Sequence, residues 1–146
     1  MKFPFFTRLQ TRQIVATANS DAARQAEQLL AGILAGLPEL LLAYVVDLQG
    51  ATLLASYTTS AAYNPHQLTV RNAKLLQTVR EALAAKAWVG GPCTDLAVML
   101  DDQMHYLRPL PERNWYCFVA VRLADANMGM VKEVVRRATA QPASDY

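Results

Sequence analysis

Two cysteines and two histidines are all that this chain of 146 residues offers for thiol or soft-metal chemistry. Cys93 and Cys117 are too few for a disulfide framework, and no histidine, cysteine or acidic cluster has metal-ligand spacing, so neither metal nor cofactor is expected. Charge is also sparse, at 18% of residues with a formal net charge of +2. Both signs are scattered, so there is no basic block of the kind that holds phosphates, and no nucleic-acid partner is expected. Arg136-Arg137, with Lys132 one turn earlier, comes nearest, and the dipole of a helix C-terminus accounts for it. No apolar run reaches the length of a signal peptide or a membrane span, which points to a cytoplasmic protein without stable membrane insertion. Gly90-Gly91-Pro92 has the glycines of a phosphate cradle but neither its lysine nor its helix, and reads as a turn.

What is present is apolar mass: 53% of residues are hydrophobic, enough for the core of one domain. Residues 1–19 show no period and read as an N-terminal extension, with Phe3, Phe5 and Phe6 expected to fold back as a cap. Residues 20–140 read as the domain, and 141–146 as a polar tail. Ser20 is a good N-cap, and Ala26, Leu29, Leu30, Ile33 and Leu37 keep helical spacing up to Pro38. Leu40 to Val46 is a strand covered on both faces, Asp47 to Gly50 a tight turn, and Ala51 to Tyr57 the returning strand. Asn64-Pro65 opens a second helix that runs to about Lys86. Leu68, Asn72, Leu75, Leu76, Val79 and Leu83 form its inner stripe, and Ala73, Gln77, Arg80 and Ala84 its outer one. Thr94–Asp101, Gln103–Leu110 and Trp115–Leu123 then make a three-stranded meander, and Asp125 or Asn127 caps a last helix.

The fold class is therefore α/β (α+β): a five-stranded antiparallel sheet in the order α-ββ-α-βββ-α, with helices on both faces. If hairpin and meander join through their inner strands, the five strands lie in the order second, first, fifth, fourth, third. Ala51–Tyr57 and Thr94–Asp101 are then the outer edges. Exposed edges are usually blunted by lysine, interior proline or a bulge. Thr94–Asp101 has no lysine and no interior proline, so it is expected to pair with its own copy and extend the sheet across a homodimer. The expected dimer contacts are Leu96, Val98 and Leu100 on the edge and Ala73, Gln77, Arg80 and Ala84 on the second helix. Pro109 requires pairing of the fourth strand to loosen around it.

No constellation of catalytic groups assembles, so no enzyme is expected. His105 and Cys117 are the one pair that could meet across neighbouring strands, as in a thiol hydrolase. Cys117 reads instead as a small buried hydrophobe.

Several local phrases resemble the roadblock / dynein light-chain family over about Ala23 to Ala138. They are Gln28-Leu29-Leu30-Ala31-Gly32-Ile33 and the hairpin from Ala43 to Ser56, in which Asp47-Leu48-Gln49-Gly50 joins two apolar strands. The short strand His105 to Leu110 and the passage from Trp115 to Val135 complete them. The resemblance implies a homodimer with a continuous sheet. It also implies a non-catalytic adaptor or scaffold that binds a small Ras-like GTPase, as the bacterial MglB-like co-regulators do. Arg71, Lys74, Thr78 and Glu81 on the second helix are the partner contacts expected under that reading. Two other readings compete, a small-molecule sensor domain and a dimeric secretion chaperone. An interior of Leu, Val, Ala and Phe disfavours the first, and a pI near 8.6 the second.

Overall fold

The computed structural model describes residues 10–85 and 90–140. Phe3 to Phe6, Lys86 and the tail 141–146 lie outside the described residues. The elements are β1 (Val15–Ala16), α1 (Asp21–Gly36), β2 (Leu42–Asp47), β3 (Thr52–Thr58), a 3-10 turn (Pro65–Gln67), α2 (Thr69–Ala85), β4 (Leu96–Met99), β5 (Gln103–Leu110), β6 (Trp115–Arg122) and α3 (Met128–Thr139).

The strands form one antiparallel sheet in the order β1-β3-β2-β6-β5-β4. The last five follow the expected order, with hairpin and meander joined where Tyr44 pairs with Phe118. One strand is additional. Val15 and Ala16 pair with Ser56 and Ala55 on the outer side of β3, so that edge is not the free one expected from the sequence. Arg12 N and Thr17 N donate to Thr58 O and Leu54 O and lengthen this cover at both ends. Two residues are too few for an alternating pattern to register, which is why the strand was not legible.

Local chemistry explains the boundaries. The Ser20 side chain accepts from Ala23 N and caps α1, and Leu37 N closes its last turn on Ile33 O before Pro38. In the hairpin turn, Asp47 Oδ1 accepts from Gln49 N, and Gly50 takes a positive φ of 111°. Asn64 caps the 3-10 turn with Pro65 at its start, so α2 begins later than the sequence suggests. Asn127, not Asp125, caps α3 by accepting from Met130 N.

Alternation along the strands splits the core in two. Ala43, Val45, Tyr106, Cys117 and Val119 face α1 and α3, where they meet Leu30, Ile33, Val131 and Val135. Leu42, Tyr44, Val46, Leu107, Tyr116 and Phe118 face α2. Helices therefore cover both faces. Each fully buried side chain of the size of Leu30 or Ile33 contributes about 1.5–3 kcal/mol. The two helices on the first face also touch each other. Gly32 lies against Ala138 and Gly36 against Val134.

The largest departure from the expected strand bounds is in the meander, whose second strand keeps them. The meander's first strand is only Leu96–Met99, and Leu100 lies in the turn, where its N–H donates to Gln103 O. Pro109 stays inside β5 opposite Tyr116, but β4 pairs no further along than Leu107. The proline's missing donor thus falls where no strand lies on that side.

Candidate protein-binding surface

Among the described residues, β4 is the last strand of the sheet, and its four residues pair on one side only, with Met104 to Leu107. Leu96, Ala97 and Val98 are half-buried, and Met99 and Leu100 are exposed. The backbone donors and acceptors of the outer side therefore run beside an apolar row. That is the unblunted edge the sequence anticipates, reduced to half its expected length.

Above this side of the sheet lies α2, which the other described residues cover only in part. Of its 17 residues only Thr69, Asn72 and Leu76 are buried. Leu75 and Val79 of the expected inner stripe are half-buried, and Leu83 is exposed. At about 3.6 residues per turn, Arg71, Leu75, Thr78 and Ala82 share one flank. Arg71 reaches His105 on β5, the strand next to β4, so this flank faces the open edge.

The other flank carries Ala73, Arg80 and Ala84. Ala73 packs against the core cluster of Leu41, Leu42 and Leu53. Arg80 and Ala84 line a groove of about 960 Å³ with Leu48, Pro109 and Trp115. These three are the helix contacts expected at a dimer seam; Ala73 packs inward, and the groove beside Arg80 and Ala84 also reaches Cys93 and Thr94, just ahead of β4. An outer stripe read from spacing does not say which way the helix is rolled on its sheet. Lys74, Gln77 and Glu81 point away from the sheet, where Gln77 donates to Glu81 at 3.0 Å.

What sets the roll is a buried polar chain. Asn72 Nδ2 donates to Tyr44 Oη at 2.7 Å, and Tyr116 Oη donates to Thr69 O at 2.9 Å. The two phenol oxygens lie 3.3 Å apart. Tyr116 spends its proton on Thr69, so Tyr44 is the donor between them. Asn72 Oδ1 accepts from Nε and Nη2 of Arg71, and Nη2 also approaches His105 Nδ1 at 3.2 Å. His105 Nε2 lies 3.2 Å from Gln103 Oε1. Burial raises the Tyr44 hydroxyl far above its usual range and pushes Tyr116 up to about 12, so both remain neutral donors. Burial, then the Arg71 charge, lowers the His105 pKa below its ordinary value.

Sequence reasoning missed this chain. It took Tyr44 and Tyr116 as apolar strand residues and Arg71 as a free contact for a partner. In the structure the Arg71 guanidinium is committed to Asn72 and His105. The available signal was Asn72, a polar residue in the middle of the predicted inner stripe.

The thiol-hydrolase pairing is overturned by register. His105 stands opposite Ala120, and Cys117 opposite Arg108. His105 faces α2 and Cys117 faces α1 and α3, so the sheet separates them. Cys117 is fully buried, and burial pushes its thiol up to about 12, where no reactive thiolate forms near neutral pH. The groove beside Arg80 is open, and its Arg108 is already tied to Asp95 and Thr139. Among the described residues, no group of His, Cys, Asp and Glu comes together as a metal requires, and no helix is long and apolar enough to cross a membrane.

No family model matches the sequence, and no curated protein does. Solved structures match closely in shape. The chain is similar to Myxococcus xanthus MglB, at 10% identity and a TM-score of 0.67, over 84% of this chain and 88% of that one. It is similar to the gliding protein MglB of Thermus thermophilus, at 18% identity and 0.64, over 90% and 93%. It is also similar to a Roadblock/LC7 domain from Streptomyces avermitilis, at 14% identity and 0.60, over 82% and 92%. At these identities the likeness is one of backbone, and it agrees with the resemblance carried by the hairpin and the β6–α3 passage. Strand order, helix placement and these neighbours together establish that the chain has the Roadblock fold in its MglB-like form.

Proposed function

We propose that this protein is a non-catalytic, dimeric adaptor or regulator that binds a small Ras-like GTPase. The observation that carries the reading is the open β4 edge beside a helix buried at only three positions. An apolar edge with unpaired backbone groups favours a strand of a second copy, and two-fold pairing satisfies both at once. The α2 flank next to the edge carries Leu75, Thr78 and Ala82. Two of these are small, so two copies of α2 can approach closely over the seam. Seam contacts are then Leu96, Val98 and this flank, with Leu100 at the rim. Lys74, Gln77 and Glu81 are left on a paired ridge that faces outward.

The resemblance to the roadblock family and the MglB-like fold support a GTPase as the partner on that ridge. A two-fold ridge offers overlapping copies of one surface, so one GTPase binds per dimer. Light scattering of the wild type at micromolar concentration should give the mass of a dimer, and Val98→Lys a monomer or insoluble protein. Lys74→Glu should keep the dimer and weaken binding of a purified Ras-like GTPase from the same organism. Rim charges act mainly on association, so salt should mimic the variant. A monomeric wild type would remove the seam. Unchanged binding by Lys74→Glu and by Arg80→Glu would move the partner off α2.

A further inference from the structure

A helix of 17 residues with three buried positions, two of them polar, depends on its hydrogen bonds as well as on the packing of Leu76 and Ala73. One member of its polar chain can change charge within the range a cell meets, and that member is His105. We propose that Arg71, His105 and Gln103 form a latch that holds the first two turns of α2 on the sheet, and that protonation of His105 opens it.

A guanidinium has only N–H groups, so His105 Nδ1 can meet Arg71 Nη2 at 3.2 Å only as an acceptor. The ring proton then sits on Nε2 and is donated to Gln103 Oε1. The neutral tautomer is thus specified from both sides. The ring is 6% exposed and stands edge-on to Phe118, with centroids 5.2 Å apart, so it has little freedom to turn away.

A second proton would go on Nδ1 and set donor against donor and cation against cation. Nothing nearby compensates. From α2 the charged group that faces the ring is Arg71. β4 contributes Val98 opposite His105 and has no ionisable side chain between Leu96 and Met99. β6 contributes Ala120 opposite His105 and Arg122 opposite Gln103, and Arg122 is itself tied to Asp125. On β5 itself, Arg108 projects to the other face. Asp101 and Asp102 lie in the turn ahead of Gln103 and Asp125 is held by Arg122, so the charge in direct contact with the ring is the positive one of Arg71. Arg71 must leave when the ring is charged. It also holds Asn72 Oδ1, which orients the amide that reaches Tyr44, so its departure loosens the anchor at the middle of the chain.

The latch concerns the isolated protein. Its consequence for the ridge rests on the proposed function, and the test keeps the two apart. Amide hydrogen exchange, normalised to the intrinsic rate at each pH, is measured on the protein alone from about pH 7.5 to about pH 5. Side-chain NMR follows His105 in the same samples. As the ring protonates, protection from Arg71 to Gln77 should fall about tenfold or more relative to β6. His105→Asn offers an acceptor near the place of Nδ1 and cannot be charged, so its α2 protection should stay flat. Arg71→Met should expose α2 at every pH and abolish the pH dependence. The proposal is overturned if His105 charges while α2 protection holds, or if the ring stays neutral until the whole chain unfolds. Persistence of the wild-type pH dependence in either variant overturns it as well. None of these outcomes depends on a dimer or a GTPase.

Discussion

At Gly36 an added Cβ would lie 2.8 Å from both γ-methyls of Val134. Valine is stiff about its first torsion, so neither methyl can withdraw without bringing the other closer. Gly36→Ala should therefore destabilise by about 1–3 kcal/mol despite alanine's better helix propensity. Gly32 is a control four residues away, because its added Cβ would meet Ala138 Cβ at 3.4 Å, near ordinary contact. Gly32→Ala should be neutral or stabilising, and urea unfolding of the two variants should separate them. Cys117 gives a second test at this scale. With its thiol buried and pushed up to about 12, iodoacetamide at mildly alkaline pH should modify the half-buried Cys93 and spare Cys117 in the folded protein. Cys117→Ala should cost on the order of 1 kcal/mol or more and leave partner binding intact. Equal labelling of both cysteines in folded protein would put Cys117 outside the core.

Among elements, strand pairing constrains a dimer further than edge exposure does. Directly opposed residues of antiparallel strands point to the same face, so a two-fold axis must pass through a residue of β4 and not between two. Only Ala97 and Val98 are central. With Val98 on the axis, Leu96 opposes Leu100 of the second copy beneath the α2 helices, and small Ala97 opposes large Met99 on the other face. Val98→Cys should then form an intermolecular disulfide on mild oxidation, because opposed Cα atoms lie within bridging distance. Ala97→Cys should not. The reverse result would place the axis on Ala97 and keep the dimer. The elements themselves were largely legible in the sequence, since periods of two and 3.6 and caps such as Ser20 and Asn127 are local signals. What escaped was non-local. β1 is too short to carry a pattern. β4 is shorter than its hairpin partner β5, and nothing local marks where it leaves the sheet. The roll of α2 is decided by Tyr44 and Tyr116, far away along the chain. The edge as a candidate site was readable because an absence of lysine and proline is itself a local property. Which stripe of α2 lies beside that edge was not, because spacing gives the stripes of a helix but not its orientation.

For the whole molecule, the depressed pKa of His105 couples folding to pH. Above the ordinary value of 6.5 the ring is neutral in folded and unfolded chains alike, and the contribution of the neutral form is fully present. As pH falls below 6.5 the unfolded chain takes up the proton first, so stability declines until pH reaches the lower folded value. Urea midpoints across that window should fall for the wild type and change less for His105→Asn. An identical slope in the variant would assign the effect to other groups. β1 has an effect on the same scale. Val15, Ala16 and the flanking bonds of Arg12 and Thr17 occupy the outer side of β3 along Leu54 to Thr58. Among the described residues, β4 is then the one edge left unpaired, and in the proposed dimer the sheet is monovalent. A monovalent unit that pairs with itself closes at two copies and consumes its own reactivity. Deleting residues up to Ala18 would make it bifunctional, and a bifunctional unit has no finite closed product by edge pairing alone. Sedimentation of that truncation should show mass rising without limit as concentration rises, while the intact chain stops at the dimer. If the proposed dimer forms through β4, the segment that carries β1 decides whether the same edge chemistry yields a discrete complex or a fibre.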